Sequence, residues 1–450
     1  MAVWVPGARA WVVAADLILI AAIALDIVRT PAPQSLHIDR SMPLRAGLSN
    51  DFLRRAHLQV GRAGGLELEL REEFSIGLEV QACTWQTLAT GEREAAADHP
   101  LLSEPDDDDP TGGPDCIRLP ASGPVDVLRV YRSSRRGVAW VGDMRLRLTG
   151  ALGLIQRQGR LQGRLEIRIE PALAGLSRTL SLAASDRWHD LGVKRLRRRG
   201  GLTEFESLRE YVPGDDVRRL DWKAYARRGR PMVREYQEER GQELVLVIDC
   251  GRRMGATDAE GDERGWTKLD HALDAALQLA AVALSKGDRV GILAFDTMVR
   301  AYVSPARGSR QLESLRSAVF DRIASDQESD LEMALRELGA RHRRRATLII
   351  LTDVADPLSV DDQRLALSAG ARRHRLVFAG LDDPAVSRVA SGEQQAPPAL
   401  RAAALGQRAE RALAFRELAR SGARVLDTVP AQAAGPLLAA WLDARRAGWG

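Results

Sequence analysis

Cysteine is scarce in this 450-residue chain: Cys83, Cys116 and Cys250 are odd in number and far apart. No C-x-x-C pair exists, which excludes a zinc ribbon and a dithiol redox motif. It also favours a reducing compartment over a disulfide-stapled secreted fold. Seven histidines are scattered along the chain without an H-E-x-x-H pattern, so the zincin arrangement of two imidazoles on one helix face is missing. There is no G-x-S-x-G nucleophile elbow, no Walker A loop and no D-x-D on a strand end. Serine-hydrolase chemistry, ATP hydrolysis by this chain and haloacid-dehalogenase-like phosphoryl transfer therefore lack their residues. A strong charge of one sign is missing too: 65 Lys and Arg against 61 Asp and Glu leave a net +4. That small excess favours acidic partners or an anionic membrane surface. The basic runs Lys194–Arg199 and Arg341–Arg345 have no interleaved aromatics and read as solvated connections, so nucleic-acid binding is not expected. A basic run beside the inner leaflet would instead attract anionic lipid.

What is present is an ordinary globular balance, 45% hydrophobic and 28% charged, long enough for two or three domains. Residues Ala10 to Val28 (AWVVAADLILIAAIALDIV) have the length of a bilayer crossing. Asp16 lies inside it, at a cost of about 3 kcal/mol on insertion scales, while Asp26 falls at the interface. A transmembrane helix over 8–28 is the reading; a buried amphipathic helix and a cleaved signal are the alternatives. Against the signal stand a basic region of Arg9 alone and no small-residue cleavage site. Arg29, Arg40, Arg45, Arg54 and Arg55 follow the segment, so the positive-inside rule leaves the bulk of the chain in the cytoplasm.

Over 35–175 the pattern alternates with period two, as in His57–Gly61, Leu66–Leu70, Val125–Val130, Met144–Leu148 and Leu165–Ile169. This predicts a small antiparallel β-sandwich with its charged faces in water. The acidic insert Ser103–Gly113 reads as a solvated loop, since adjacent aspartates make a poor calcium cage.

Over 241–446 the pattern changes. Leu244–Asp249 is a continuous apolar run ending in a carboxylate, then Leu269, Leu273, Ala276, Leu277, Ala280 and Leu284 mark a helix face. Further strands are predicted at Val290–Phe295, Thr347–Thr352, Arg375–Leu381 and Val425–Asp427, with helices near Gln311–Ile323, Leu331–Leu338, Arg408–Arg420 and up to Arg446. The alternation predicts an α/β domain, a doubly wound and mostly parallel sheet covered on both faces. Ligands on such sheets bind at the carboxyl ends of strands, where Asp249 and Asp353 fall.

Between these regions, 201–240 is dense in opposed charges with aromatics interleaved. Pro213-Gly214 predicts a turn, Asp215 or Asp216 a cap on a short helix from Val217, and Met232–Tyr236 a strand. The run E-F-x-x-L-R-E-Y-x-x-G-D-D-x-R-x-x-D-W-x-A-x-A-R from Glu204, followed by V-R-E-Y and a strand ending at Asp249, resembles the domain-of-unknown-function 58 family. These are MoxR-associated proteins with a von Willebrand factor A-like domain. Weaker agreement lies at Arg135-Arg136-Gly137, Gly150–Leu154 and Leu351–Asp356, so the resemblance covers about Asp26 to Arg446.

The resemblance implies a bacterial inner-membrane protein, single-pass here, with most of the chain cytoplasmic and no established enzymatic activity. It would act with a MoxR-type AAA+ ATPase in assembly or maturation of an unknown protein client. Many members carry two N-terminal membrane helices, whereas this sequence has room for one, so the first is absent or the translation start is set too late. Residues of the signature segment that would face the partner, or dock one domain on the other, are Arg209, Glu210, Tyr211, Asp215, Asp216, Arg218, Asp221, Trp222, Arg227 and Arg234.

A von Willebrand factor A domain holds Mg²⁺ through D-x-S-x-S, a distant Thr and a distant Asp, hard oxygen ligands in octahedral array. Here the motif reads Asp249-Cys250-Gly251-Arg252-Arg253, with Ser329 or Asp330 for the threonine and Asp353 for the second carboxylate. Two hydroxyls are missing. Arg253 is positioned to put a guanidinium where the cation would sit, paired with Asp249 or Asp353. A degenerate site of Asp249, Ser329 and Asp353 is thus expected, with no cofactor needed and Mg²⁺ the ion it would take if any. The alternative function is a metal-dependent hydrolase using Asp249 and Asp353; their plain structural use would be to cap the helices that follow.

Overall fold

A computed structural model describes residues 8–60, 66–87, 115–118, 123–173, 175–184, 204–211, 220–237, 241–257, 262, 264–353 and 360–446. The acidic insert at 103–113 and the turn expected at Pro213-Gly214 lie outside them. By contact the chain divides into two compact units, Met1–Ala172 and Leu173–Gly450.

The first unit opens with α1 (Ala8–Arg29), long and apolar enough to cross a membrane. Ten strands follow: β1 (His37–Ser41), β2 (Arg45–Gly47), β3 (Asp51–Val60), β4 (Glu67–Phe74), β5 (Leu78–Thr87), β6 (Asp115–Arg118), β7 (Gly123–Ser133), β8 (Gly137–Thr149), β9 (Gln156–Leu161) and β10 (Leu165–Glu170). They form two sheets, ordered β1-β3-β7-β5 and β2-β10-β8-β4-β6, with β9 also on β8. The short β2 pairs β10 in parallel, whereas the sequence pattern suggests an all-antiparallel arrangement. Both sheets face one core, in which Ala56, Leu58, Val125 and Val127 of the first meet Leu68, Leu70, Met144, Leu146 and Leu148 of the second, with Leu66 just ahead of β4. Each of the Val, Leu and Met side chains contributes roughly 1.5–3 kcal/mol by leaving water.

One expectation for this unit fails. Charge is not confined to the wet faces, because Arg54, Arg129 and Glu72 are buried. Glu72 meets the Arg54 guanidinium directly, accepts a hydrogen bond from the Tyr131 hydroxyl at 3.1 Å, and lies 3.7 Å from both Arg40 and Arg129. A buried carboxylate is tolerable only with such partners.

The second unit starts with α2 (Leu176–Ala184), then the hairpin of β11 (Glu204–Glu210) and β12 (Met232–Gln237), with α3 (Trp222–Arg228) between its strands. After it come β13 (Glu243–Asp249), α4 (Lys268–Ser285), β14 (Arg289–Phe295), β15 (Val299–Ala306), α5 (Ser309–Val319), α6 (Leu331–Arg341), β16 (Thr347–Thr352), α7 (Val360–Ala371), β17 (Arg375–Leu381), α8 (Pro384–Ser391), α9 (Pro398–Ala419), β18 (Arg424–Thr428) and α10 (Ala434–Arg446). The six-stranded sheet runs β15-β14-β13-β16-β17-β18, parallel throughout except at the β15 edge.

Both faces of this sheet are covered, which explains why its strands read as unbroken apolar runs. Leu244, Leu246 and Ile248 face α4, α5 and α10, and Val245 and Val247 face α6, α7 and α9. The edge strand β15 was missed by periodicity because its pairing is broken by two register shifts and Pro305 interrupts it. Helix α5 stops at Val319, short of Ile323, and α9 begins ten residues before Arg408, at Pro398.

Candidate functional site

The parallel strands β13, β16 and β17 and the neighbouring β18 deliver four carboxylates to one edge: Asp249 ends β13, Asp353 follows β16, Asp382 follows β17 and Asp427 lies in β18. The parallel register requires this, since strand ends of one polarity come out together.

Asp249 is buried and fully engaged. Its Oδ1 accepts from the Gly251 amide at 2.7 Å and from the Ser329 hydroxyl, and its Oδ2 accepts from Thr352 Oγ1 at 2.5 Å. Burial pushes its pKa up, against the pull of these three donors, and the nearby Asp353 charge adds to the rise. Gly251 is required by the packing: a Cβ there would overlap Ser329 Oγ and come within 3.0 Å of the Gln327 carbonyl. The hydroxyl from position 329 thus occupies the space that a serine at 251 would need.

Asp353 is held by two cations. Lys268 Nζ lies 2.8 Å from its Oδ2, and Arg411 Nη1 lies 3.1 Å from its Oδ1. Lys268 is the first residue of α4, behind a capping box in which Thr267 and Asp270 satisfy each other's backbone amides. A cation at a helix N-terminus opposes the helix dipole; the contact with Asp353 offsets that. Arg411, midway along α9, also reaches Asp427 at 2.9 Å and Asp382 at 3.6 Å, with Phe415 4.8 Å from its guanidinium. One guanidinium therefore ties together carboxylates from three adjacent strand ends. Arg411, Asp353 and Asp382 line a small cleft with Asp383, Val386, Gln407 and Arg408.

This corrects the expectation for Arg253. The chain turns through a 3-10 segment at Arg252–Gly255, and both arginines leave the sheet edge for Glu328, with Arg253 Nε 3.6 Å from its carboxylate. The cations opposite Asp353 are Lys268 and Arg411. A lysine at the first position of a mostly buried helix, against the dipole, was the sequence signal for one of them; Arg411 on α9 gave none.

A divalent ion does not fit this donor set. The oxygens of Asp249 and Asp353 already accept hydrogen bonds from five groups of the chain itself, one of them the Lys268 ammonium against the second carboxylate. Among the described residues no group of three or more His, Cys, Asp or Glu side chains is arranged to hold a metal.

The signature segment forms a separate feature. Asp221 caps α3, its carboxylate accepting from the Lys223 and Ala224 amides at 3.0 Å each, and Gly229 closes the helix in a left-handed conformation. The helix expected from Val217 lies outside the described residues, as do Asp215, Asp216 and Arg218. Tyr211 donates its amide to the Pro231 carbonyl at 2.9 Å, and Glu210 pairs with Arg230 at 2.8 Å. Arg209 and Arg234 belong to the paired backbones of β11 and β12. On α3 the solvent-facing side is aromatic and basic: Trp222 is 69% exposed and Tyr225 44%, edge to face at 6.2 Å, with Lys223 and Arg227 exposed beside them.

Comparison with known proteins adds the following. The family model "Protein of unknown function DUF58" matches residues 207–394. Uncharacterized proteins of Mycobacterium bovis and Mycobacterium tuberculosis are each 31% identical to the chain over 222 residues, 48% of this chain and 67% of theirs. Among solved structures, proximal thread matrix protein 1 from the mussel byssus is 12% identical, with a TM-score of 0.22 over 32% of this chain and 36% of that one. An uncharacterized membrane spanning protein from Vibrio fischeri is 14% identical, with a TM-score of 0.17 over 45% of this chain and 98% of that one. Neither score reaches the level at which a common fold follows.

Proposed function

The chain belongs to the domain-of-unknown-function 58 family, and from that premise we propose that it is a membrane-anchored binding protein without enzymatic activity. It acts with a MoxR-type AAA+ ATPase on a protein client. The observation that carries this reading is the pair of exposed aromatics on α3. A tryptophan and a tyrosine lying open on a capped, basic helix within the family's signature are the residue types that dominate binding energy at protein interfaces. The arginine and lysine beside them suit an acidic partner surface.

The strand order and two-sided helix cover of the second unit support reading it as von Willebrand factor A-like. In that fold the sheet edge would be the adhesion site; Lys268 and Arg411 are here internal counter-ions of Asp353, which supports binding without a bridging Mg²⁺. The same occupancy weighs against a metal-dependent hydrolase, which needs Asp249 and Asp353 free to ligate or to exchange protons. Helix α1 is the anchor, entering the bilayer from the side that keeps Arg29 and the later arginines in the cytoplasm.

The test is retention of a purified MoxR-type AAA+ ATPase from the same genome by the full chain in detergent. Wild-type chain should retain it, and Trp222→Ala with Tyr225→Ala should lose at least tenfold in affinity while melting normally. Unchanged retention by the double variant would remove α3 as the interface; no retention by the wild type would remove the partnership.

A further inference from the structure

The carboxylate that closes α1 is not left to solvent. Asp26 is buried, and its two oxygens accept from three backbone amides of one tight loop: Leu152 at 3.1 Å, Leu154 at 3.0 Å and Ile155 at 3.1 Å. The loop leaves β8 at Gly150, which gives the carboxylate room because a Cβ there would overlap it. Gly153, at φ +71°, makes the turn that aims the amides inward. One further contact ties the helix end to the same region, Arg157 donating to the Ile27 carbonyl at 3.0 Å, while Thr30 closes the helix itself by donating its hydroxyl to the Asp26 carbonyl at 2.7 Å.

These bonds fix the depth of the loop. Its backbone lies within hydrogen-bond reach of residue 26, three residues or about 4.5 Å of axial rise from the end of α1. That is the level at which an apolar crossing segment meets the headgroups. At that level the loop exposes two leucines, Leu152 at 51% and Leu154 at 43%, beside the exposed helix residues Leu25, Ile27 and Val28. Three of its amides donate to Asp26, and those of Gly150 and Gly153 donate to the Ile155 and Gly150 carbonyls. What the loop turns outward is hydrocarbon, continuous with the lipid-facing surface of the helix.

We propose that the Ala151–Leu154 loop is a second membrane-seating element, with Leu152 and Leu154 entering the bilayer interface beside the base of α1. The Asp26 clasp holds helix and first unit at a fixed angle, and the occupant of the apolar patch is the lipid surface. This rests on the reading of α1 as a membrane anchor.

The experiment uses the full chain in vesicles of phosphatidylcholine and phosphatidylglycerol, with Cys83 and Cys116 changed to serine. An environment-sensitive fluorophore is placed singly by Leu154→Cys, Leu152→Cys, Leu19→Cys or Ile76→Cys, and read against lipids carrying a shallow spin-label quencher. Ile76 is the aqueous control. It lies in the exposed turn after Phe74, and the β4–β8 register (Glu67 opposite Thr149, Phe74 opposite Val141) puts that turn at the other end of the sheet from Gly150. Eight residues of strand make that separation about 27 Å.

Labels at 152 and 154 should be quenched several-fold more than the label at 76. Adding Asp26→Ala should at least halve that quenching while leaving the label at 19 unaffected. Quenching at 19 without quenching at 152 or 154 would overturn the proposal and keep the anchor. No quenching at 19 would overturn both. A blue shift at 154 that grows with protein density and ignores lipid quencher would assign the patch to a protein surface and also overturn it.

Discussion

Lys268 and Asp353 meet at 2.8 Å, ammonium to carboxylate, with both side chains almost sealed from water at the carboxyl edge of the parallel sheet. Pairs of this kind are costly to break, and losing Lys268 leaves the buried Asp353 carboxylate with Arg411 in place of two counter-ions. Lys268→Met should therefore destabilise the second unit by about 3 kcal/mol, and Lys268→Met with Asp353→Leu should recover much of that. Chemical denaturation of the two variants measures it. Equal losses for single and double variants would show that the pair carries no coupling.

The same geometry makes a statement about metal. Millimolar Mg²⁺ should leave the melting temperature of the wild-type chain unchanged, since the oxygens it would need already serve Lys268, Arg411, Ser329, Thr352 and Gly251. Stabilisation that saturates with Mg²⁺ and disappears in Asp249→Ala would show that the ion displaces these donors. Binding at a hundred times the dissociation constant would add about 2.7 kcal/mol, well within reach of a thermal scan.

On α3 the structural and recognition roles separate cleanly. Asp221→Ala removes the acceptor for two helix amides and should cost about 1 kcal/mol. Trp222→Ala removes a side chain that is mostly in water and should change stability by less than about 0.5 kcal/mol. Partner affinity should respond in the opposite order. If Trp222→Ala melts the chain more than Asp221→Ala does, the tryptophan is a packing residue.

How much of this could be read in advance varies by element for physical reasons. Leu244–Asp249 was legible because both faces of β13 are buried, which leaves an unbroken apolar run. The edge strand β15 was not, because an edge needs pairing on one side only and tolerates Pro305. The Arg411 clamp was invisible: it depends on a helix crossing three strand ends that only the folded sheet brings together. Arg54, Glu72 and Arg129 are different, because the signal was there. Arg54 shares its parity with Ala56 and Leu58, Glu72 with Leu68 and Leu70, and Arg129 with Val125 and Val127, so strict alternation already put all three in the core. The general preference of charge for solvent hid what the period stated.

His374 predicts a loss of stability in acid. It is buried ahead of β17 and accepts the Ala346 amide on Nδ1 at 3.3 Å, a bond only the neutral ring can make. Burial pushes its pKa down to about 4, and the positive charges of Arg373 and His342 push the same way. A folded pKa below the unfolded value of about 6.5 means stability is complete above that value and lost as pH falls toward 4. Asp288 opposes this: burial raises its carboxyl to about 6, so its ionisation weakens the fold as pH rises through that value, and acid relieves it. The two windows overlap, so the quantity to measure is wild type minus His374→Asn. That difference should fall by roughly 2 kcal/mol between about pH 7 and pH 4.5, less than a fully sealed imidazole would give. A flat difference would mean the ring is solvated.

The ion cluster inside the first unit gives the largest single-residue effect. Glu72 accepts from Tyr131 and pairs with Arg54 in the core between the sheets, while Arg40 donates to the Gly142 carbonyl at 2.6 Å and approaches Glu72 at 3.7 Å. Glu72→Gln keeps the shape and removes the charge that makes the neighbouring guanidiniums tolerable, so it should cost about 3–5 kcal/mol. Tyr131→Phe removes one hydrogen bond to a charged group and should cost about 1.5–3 kcal/mol. The control is Asp51→Asn, which breaks a 2.8 Å pair with Arg132 whose members are both about half exposed, and should cost less than about 1 kcal/mol. Urea melts of the full chain in detergent, followed through the transition of the first unit, give all three numbers on one scale. If Glu72→Gln costs no more than Asp51→Asn, water reaches the cluster and the guanidiniums stand without the carboxylate. If the predicted order holds, the Glu72 carboxylate is what makes it possible to bury the side chains of Arg40, Arg54 and Arg129 between two sheets that the hydrophobic pattern alone would have closed without charge.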